Sequence, residues 1–351
     1  MSRSQRGRGA GVSRTFRAPP ATRQPERGPI PTFTVVIAAH NAEGTIAEAV
    51  ESALGQTLPP LEVIVCNDGS TDGTAAAIEP YRDGVAYMRK QRGGVASARN
   101  AALERAKGDF FAVLDADDAY LSQRLEALAQ LGVARPDLDI LCTDAVLEVE
   151  GERVARFGED TPFEIADQAA AILERCFCVA PAVRRRKLLD AGGFDESLYT
   201  GSDWECLIRL IHAGAVAGLV DEPLYRYRIH KQSVTADRPR TLGHRVAFLE
   251  RVRQTYDLSQ RERVALARSL SRQRASLALA DAEAALRARS PDARSRAFAA
   301  ARMRTVGFRS RAAALAAALV PRAAARVLER RDARSGRSRL RRPLERRPSG
   351  R

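Results

Sequence analysis

The chain has 351 residues, a formal charge of +14, 45% hydrophobic residues and five cysteines, a size that admits two domains or one α/β domain with extensions. No apolar run reaches the ~20 residues needed to span a bilayer, and the basic N-terminus lacks the apolar stretch of a secretory signal. The odd, scattered cysteines argue against a disulfide framework or a paired zinc site, so reduced thiols in a cytoplasmic protein are expected.

The charge is unevenly placed. Residues 32–240 carry 22 Lys/Arg and 33 Asp/Glu, net −11, whereas residues 1–31 are net +6 and residues 241–351 net +19. Any polyanion contact therefore belongs to the ends. Residues 1–31 are rich in Arg, Gly, Ser and Pro and are expected to be disordered.

Residues 33–39 (FTVVIAA) form a continuous apolar run, as expected of a central parallel strand. His40, Asn41 and Gly44 make the turn into a helix over 46–54. A second strand over 61–66 ends on Asn67-Asp68-Gly69-Ser70, a helix starts at Thr71-Asp72-Gly73-Thr74, and a short strand covers 85–88. Gly93 and Gly94 then open an amphipathic helix that Gly108 stops, followed by an apolar strand over 110–114. Strands and helices alternating in this way predict a doubly wound, mostly parallel α/β sheet.

The last of these strands ends on Asp115, Asp117 and Asp118. Acids there point into the crevice at the carboxyl edge of an α/β sheet. Their mutual repulsion suits an oxygen-ligated Mg²⁺ or Mn²⁺; the plainer reading is a cap for a helix over 121–131. Beyond it the sequence predicts a strand over 138–143, a hairpin over 145–157, a helix over 167–176 and a short basic helix over 183–191, whose Arg184, Arg185, Arg186 and Lys187 form a solvated face. A helix from Ser202 and a final strand over 224–229 follow, then His230-Lys231-Gln232-Ser233-Val234. From Thr241 the composition turns to Ala, Arg and Leu with helical periodicity. Helices are expected to 329, including one from Phe308 with arginines beside an Ala/Leu face, and a disordered basic tail over 330–351.

In order and spacing, VVIAAHNAEGTI, VIVCNDGSTDGT, GGVASARNAALERAKGDFFAVLDADD, GGFDESLYTGSDWECLIRLIHAG and PLYRYRIHKQSVT resemble the family-2 inverting glycosyltransferases across roughly residues 32–235. The resemblance implies a GT-A (nucleotide-diphospho-sugar transferase) domain over 32–240 with a C-terminal helical extension over 241–329. It implies a nucleotide-sugar pocket of Ala39, His40, Asn41 and Asp68, with Asp68 accepting from a uracil-type base, although the family's usual Asp-Asp is here Asn67-Asp68. Arg99 would reach the nucleotide or pair with Asp115. Asp115 becomes a ribose or metal contact, Asp117 a ligand of Mn²⁺ or Mg²⁺, and His230 a neighbour of the diphosphate.

The matching position for the general base is Asp203, opening a helix; the acid that usually precedes it is Ser202. Ser202 and Asp203 as helix caps are the bland alternative. Trp204, Phe194 and Tyr199 are candidates for an acceptor platform or for the core.

The implied partners are a nucleotide-diphospho-sugar donor and a saccharide or lipid-linked acceptor, in cell-surface polysaccharide or glycolipid assembly. Peripheral contact with the inner face of an anionic membrane would fall to residues 241–351. A nucleotidyltransferase would carry a basic glycine-rich loop where this chain reads AAHNAEGT. A nucleic-acid binder would interleave aromatics with its basic residues, and the tails almost lack them. The retained Asp68, Asp115, Asp117 and Asp203 argue against an inactive scaffold.

Overall fold

The computed structural model describes residues 15–19, 29–230, 237–303, 308–321 and 324–328. The expected tail over 330–351, most of residues 1–31 and the Lys231–Val234 part of the last motif lie outside the described residues. In chain order the elements of the first unit are β1 (Phe16–Arg17), β2 (Phe33–Ala39), α1 (Ile46–Leu54), β3 (Glu62–Asp68), α2 (Thr74–Ile78), β4 (Ala86–Lys90), α3 (Val95–Leu103), β5 (Phe110–Asp115) and β6 (Ala119–Tyr120). They continue with α4 (Arg124–Ala134), β7 (Ile140–Val149), β8 (Glu152–Arg156), α5 (Phe157–Asp160), α6 (Gln168–Glu174), β9 (Ala182–Arg184), α7 (Arg185–Asp190), α8 (Ser202–His212) and β10 (Ala217–Ile229). The remaining helices are α9 (Arg238–Thr255), α10 (Gln260–Arg287), α11 (Ala293–Arg302) and α12 (Phe308–Leu319).

The sheet runs β1-β10-β7-β9-β5-β2-β3-β4, with β6 beside β10 and β8 beside β7. β2 pairs in parallel with β3 and β5, β3 with β4, and β10 with β7. Their apolar runs are buried on both faces because helices cover both sides. The fold class is therefore α/β with a mostly parallel sheet, as predicted.

Three local expectations are corrected. The basic helix expected over 183–191 begins as a strand: β9 sits antiparallel between β5 and β7 and makes the sheet mixed. Its arginines are not a solvated face throughout. Arg184 is held by Asp139 at 2.9 Å and donates to the carbonyls of Pro136 and Leu138, and Arg185 donates to the Gly108 carbonyl. The helix expected from 121 starts at Arg124, because residues 119–120 are taken by β6, antiparallel to β10. Within the supposedly disordered residues 1–31, Phe16–Arg17 pairs with β10, and Arg17 reaches Asp221 at 2.5 Å. An open sheet edge recruits a strand whatever the local propensity of the added segment.

Two compact units result, residues 1–236 with 257–266, and residues 237–256 with 267–351. The first has its core between the sheet and helices α1 and α4, built from residues such as Phe33, Ile37, Val65, Leu114 and Leu128. The second is a helical unit whose core is almost all alanine, including Ala282, Ala297, Ala300, Ala314 and Ala318. No helix among the described residues is long and apolar enough to cross a membrane.

Candidate active site

The carboxyl ends of β2, β3 and β5 converge with the tail of β10 and the start of α8. At the end of β3, Asp68 is buried and its carboxylate accepts from Lys90 Nζ at 3.0 Å and from the backbone N–H groups of Gly93 and Gly94 at 2.8 and 2.7 Å. Asp68 thus fastens the glycine turn that opens α3, and about one of a carboxylate's four lone-pair directions remains for a base. Gly69 next to it has φ +67°, and a Cβ there would lie 2.8 Å from the Arg92 backbone nitrogen, so the close passage of the two loops requires glycine. Asn67 is also buried, accepting from Ser70 N–H and donating to the Tyr87 hydroxyl.

The β2 end is tied to the same loop. His40 Nδ1 lies 2.9 Å from the Asp68 carbonyl, so Nδ1 carries the proton. Asn41, at φ +50°, donates its N–H to Ser70 Oγ and accepts from Thr71 N–H. Ala42 N–H donates to Thr74 Oγ1, which donates to Asp72. The Ala39 side chain, expected in the pocket, belongs instead to the core.

At the end of β5 the three acids separate in role. Asp115 receives Arg99 Nη2 at 2.6 Å, while the Arg99 guanidinium packs 5.5 Å from the Phe194 ring centroid. Enclosure pushes the Asp115 carboxyl above its ordinary range against the pull of Arg99, with Asp117 and Asp203 adding like charge. Asp117 Oδ2 lies 2.8 Å from His230 Nε2. Asp115 and Asp117 each keep about a third of the side chain open, 36% and 34%.

Asp118 is turned inward. It accepts from the Tyr225 hydroxyl at 2.6 Å and from Arg228 N–H at 2.7 Å. Burial raises its carboxyl to about 8, with Asp115 and Asp117 adding repulsion. Beneath it, the fully buried Arg124 guanidinium is layered against the rings of Tyr120 and Tyr225 at 4.7 and 4.9 Å and donates to Thr143 Oγ1 and the Ala180 carbonyl.

Asp203 lies in the first turn of α8. It does not cap: the cap residue is Gly201, in the left-handed region at φ +81°, and no side chain completes the cap. The Asp203 carboxylate is exposed, makes no side-chain hydrogen bond among the described residues, and shares its field with Asp115 and Arg99. The structure therefore brings the expected base to the expected acids across the sheet edge. The platform expectation divides: Trp204 is buried, donating Nε1–H to the Ile172 carbonyl, and Phe194 is buried against Phe111, whereas Tyr199 is exposed.

Sequence reasoning missed Tyr225, Tyr227 and Arg124. Tyr227 is half-buried, and its hydroxyl proton is held well above the ordinary range by desolvation, with Asp115, Asp118, Asp203 and Asp117 adding their charges. The available signal was the alternation Tyr225-Arg226-Tyr227-Arg228 just before His230, which puts both tyrosines on one face of a strand.

As to metal, no group of three or more His, Cys, Asp or Glu side chains among the described residues is arranged to hold an ion by itself. Two carboxylates each about one third open, with like charges at a sheet edge, nevertheless suit a divalent cation that is completed by ligands from a substrate.

A mixed α/β sheet with its acids at this edge defines the GT-A class of fold. It is shared with S. aureus TarS solved with UDP-GlcNAc (TM-score 0.57, 19% identity, covering 87% of this chain and 92% of that one). It is shared also with the mannosyltransferase PcManGT from Pyrobaculum calidifontis, solved with GDP-Man and Mn²⁺ (TM-score 0.56, 21% identity, 90% and 89% covered). Residues 34–193 match the family described as Glycosyl transferase family 2. A curated relative is the succinoglycan biosynthesis protein ExoO of Rhizobium meliloti, 31% identical over 220 residues, 59% of this chain and 63% of the relative. The chain spans about two thirds or less of the length of such curated relatives.

Proposed function

We propose that the chain is an inverting, metal-dependent glycosyltransferase that moves a sugar from a nucleotide-diphospho-sugar to an acceptor hydroxyl. The observation that carries this reading is the meeting of an exposed Asp203, without a side-chain hydrogen bond among the described residues, with the Asp115–Arg99 pair and Asp117 at one sheet edge. In the reaction Asp203 takes the proton of the acceptor hydroxyl, whose oxygen bonds to the anomeric carbon as the carbon–oxygen bond to the diphosphate breaks, inverting the centre. Arg99 holds Asp115 in place, and His230 does the same for Asp117. His40, Asn41 and the backbone fastened by Asp68 face the base and ribose. Mn²⁺ or Mg²⁺, bound by Asp117 with Asp115, would neutralise the leaving diphosphate.

The named relatives and neighbours support a nucleotide-sugar donor and a place in polysaccharide assembly; the acceptor in this reading is a saccharide or a lipid-linked group. Peripheral attachment to the anionic inner face of a membrane through residues 241–351 belongs to the same reading. The transferase domain in this reading spans residues 32–240.

Calorimetric titration of UDP, GDP and the other nucleoside diphosphates, with and without Mn²⁺, tests the donor site on the wild type and on Asp117→Ala. Metal-dependent binding that Asp117→Ala abolishes is expected. Absence of binding for every base, or equal binding by the variant, would overturn the assignment.

A further inference from the structure

The helix α12 is apolar on two opposite sides. Ala314, Ala317 and Ala318 are buried in the alanine core of the helical unit. On the other side Ala312, Leu315, Ala316, Leu319 and Val320 are all exposed, and their spacing of three, four, seven and eight residues makes one continuous stripe. Leu315 is 43% exposed, Leu319 63% and Val320 56%; past Pro321, Val327 adds a fourth large exposed side chain at 63%. Isolated exposed leucines are ordinary, but a contiguous apolar stripe on a helix end is the mark of a contact surface.

Charge identifies the occupant. From Ala293 to Leu328 the sequence has eight arginines and no acid, and residues 329–351 add ten arginines against three acids. Arg311 and Arg326 are both exposed on this segment. An apolar stripe embedded in a wholly cationic stretch repels a second copy of itself and matches a surface that is apolar below and anionic above. A helix of that kind lies in the headgroup plane of an anionic bilayer, and a polybasic segment beside it supplies the second signal that stable attachment needs.

We infer that α12 and the residue that follows it, through Leu315, Leu319 and Val320, form the membrane-seating element of this protein, inserting into an anionic lipid surface while the neighbouring arginines engage the headgroups. This deepens the membrane part of the reading above. It is independent of the donor chemistry, because the test contains no nucleotide.

The test is co-sedimentation of the full chain with phosphatidylglycerol/phosphatidylcholine vesicles and with pure phosphatidylcholine vesicles. The comparison is with Leu315→Gln/Leu319→Gln/Val320→Gln, which leaves every charge in place and alters only exposed side chains. Helical circular dichroism and a thermal midpoint equal to that of the wild type confirm that the variant folds. The expected result is binding to the anionic vesicles alone, weakened at least tenfold by the triple substitution. Wild-type binding equal on both lipids, no binding to anionic vesicles, or a variant that binds like the wild type would overturn the inference. So would a wild-type dimer that the triple substitution splits without changing vesicle binding.

Discussion

Replacing Tyr225 with Phe removes one oxygen atom from the middle of the acid site and little else. The ring keeps its 5.8 Å contact with Tyr120 and its place against Arg124. The hydroxyl donates to Asp118 Oδ2 at 2.6 Å and accepts from Asp115 N–H at 3.4 Å. The second contact is long and weak, so the first decides the magnitude. At about pH 9, where Asp118 is ionised, a hydrogen bond to it contributes about 1.5–3 kcal/mol net, and a buried acceptor left without its donor adds the cost of desolvation. We therefore expect a loss of roughly 2–4 kcal/mol. For a unit of this size each kcal/mol moves the midpoint by about 2–4 °C, so Tm should fall on the order of 5–10 °C in metal-free buffer. Asp118 also sets the path of the β5–β6 turn through Asp118 N–H to the Asp115 carbonyl, so the affinity for nucleotide diphosphate with Mn²⁺ should weaken about tenfold, equivalent to ~1.4 kcal/mol. Thermal unfolding by circular dichroism and calorimetric titration read the two effects. A Tm within a degree of wild type would refute the view that Tyr225 anchors Asp118.

Two further outcomes follow from the same geometry. Asp118 stands at about 8 in the fold against ~3.9 in the unfolded chain; between these values the folded state holds a proton that the unfolded state has released, so stability falls as pH rises and the loss is complete just above pH 8. Between pH 6 and pH 8 this amounts to roughly 2–3 kcal/mol without metal, and Asp118→Asn, which cannot ionise, should gain on wild type by that amount in urea titrations; parallel pH curves would contradict it. Gly193→Ala places a Cβ 2.6 Å from Asn100 Oδ1 at φ +73°, displacing an amide that both accepts from Phe194 N–H and donates to the Phe194 carbonyl. A loss of roughly 2–4 kcal/mol from backbone strain and broken bonds is expected, and an unchanged denaturation midpoint would show that Asn100 moves aside freely.

The parts of this fold that were legible in the sequence are those whose burial is two-sided. β2, β3 and β5 sit in the middle of the sheet, so both faces must be apolar and the run itself marks the strand. β9 has only three residues and ends on Arg184, whose charge is compensated by Asp139, 45 positions earlier in the chain; nothing local distinguishes it from the start of a basic helix. β1 exists because β10 offers an unpaired edge, a property of the partner and not of Phe16–Arg17.

The site divides along the same line. The positions of Asp115, Asp117 and Asp203 were legible because each lies at a short offset from a strand end or a helix start. The family resemblance sets Asp118 behind the ligands or as a cap, but type and spacing alone could not separate it, since the groups that turn it inward, Tyr225 and Arg228, come from more than 100 positions away. The physical clue was one of satisfaction. A carboxylate of such a cluster that is buried and not open to a cation must find donors inside the protein. The last strand supplies them, a tyrosine hydroxyl and its own backbone N–H. A strand carrying tyrosines at alternate positions beside an acid-rich turn should therefore be read as a donor face first, and as apolar core only after those carboxylates have been accounted for.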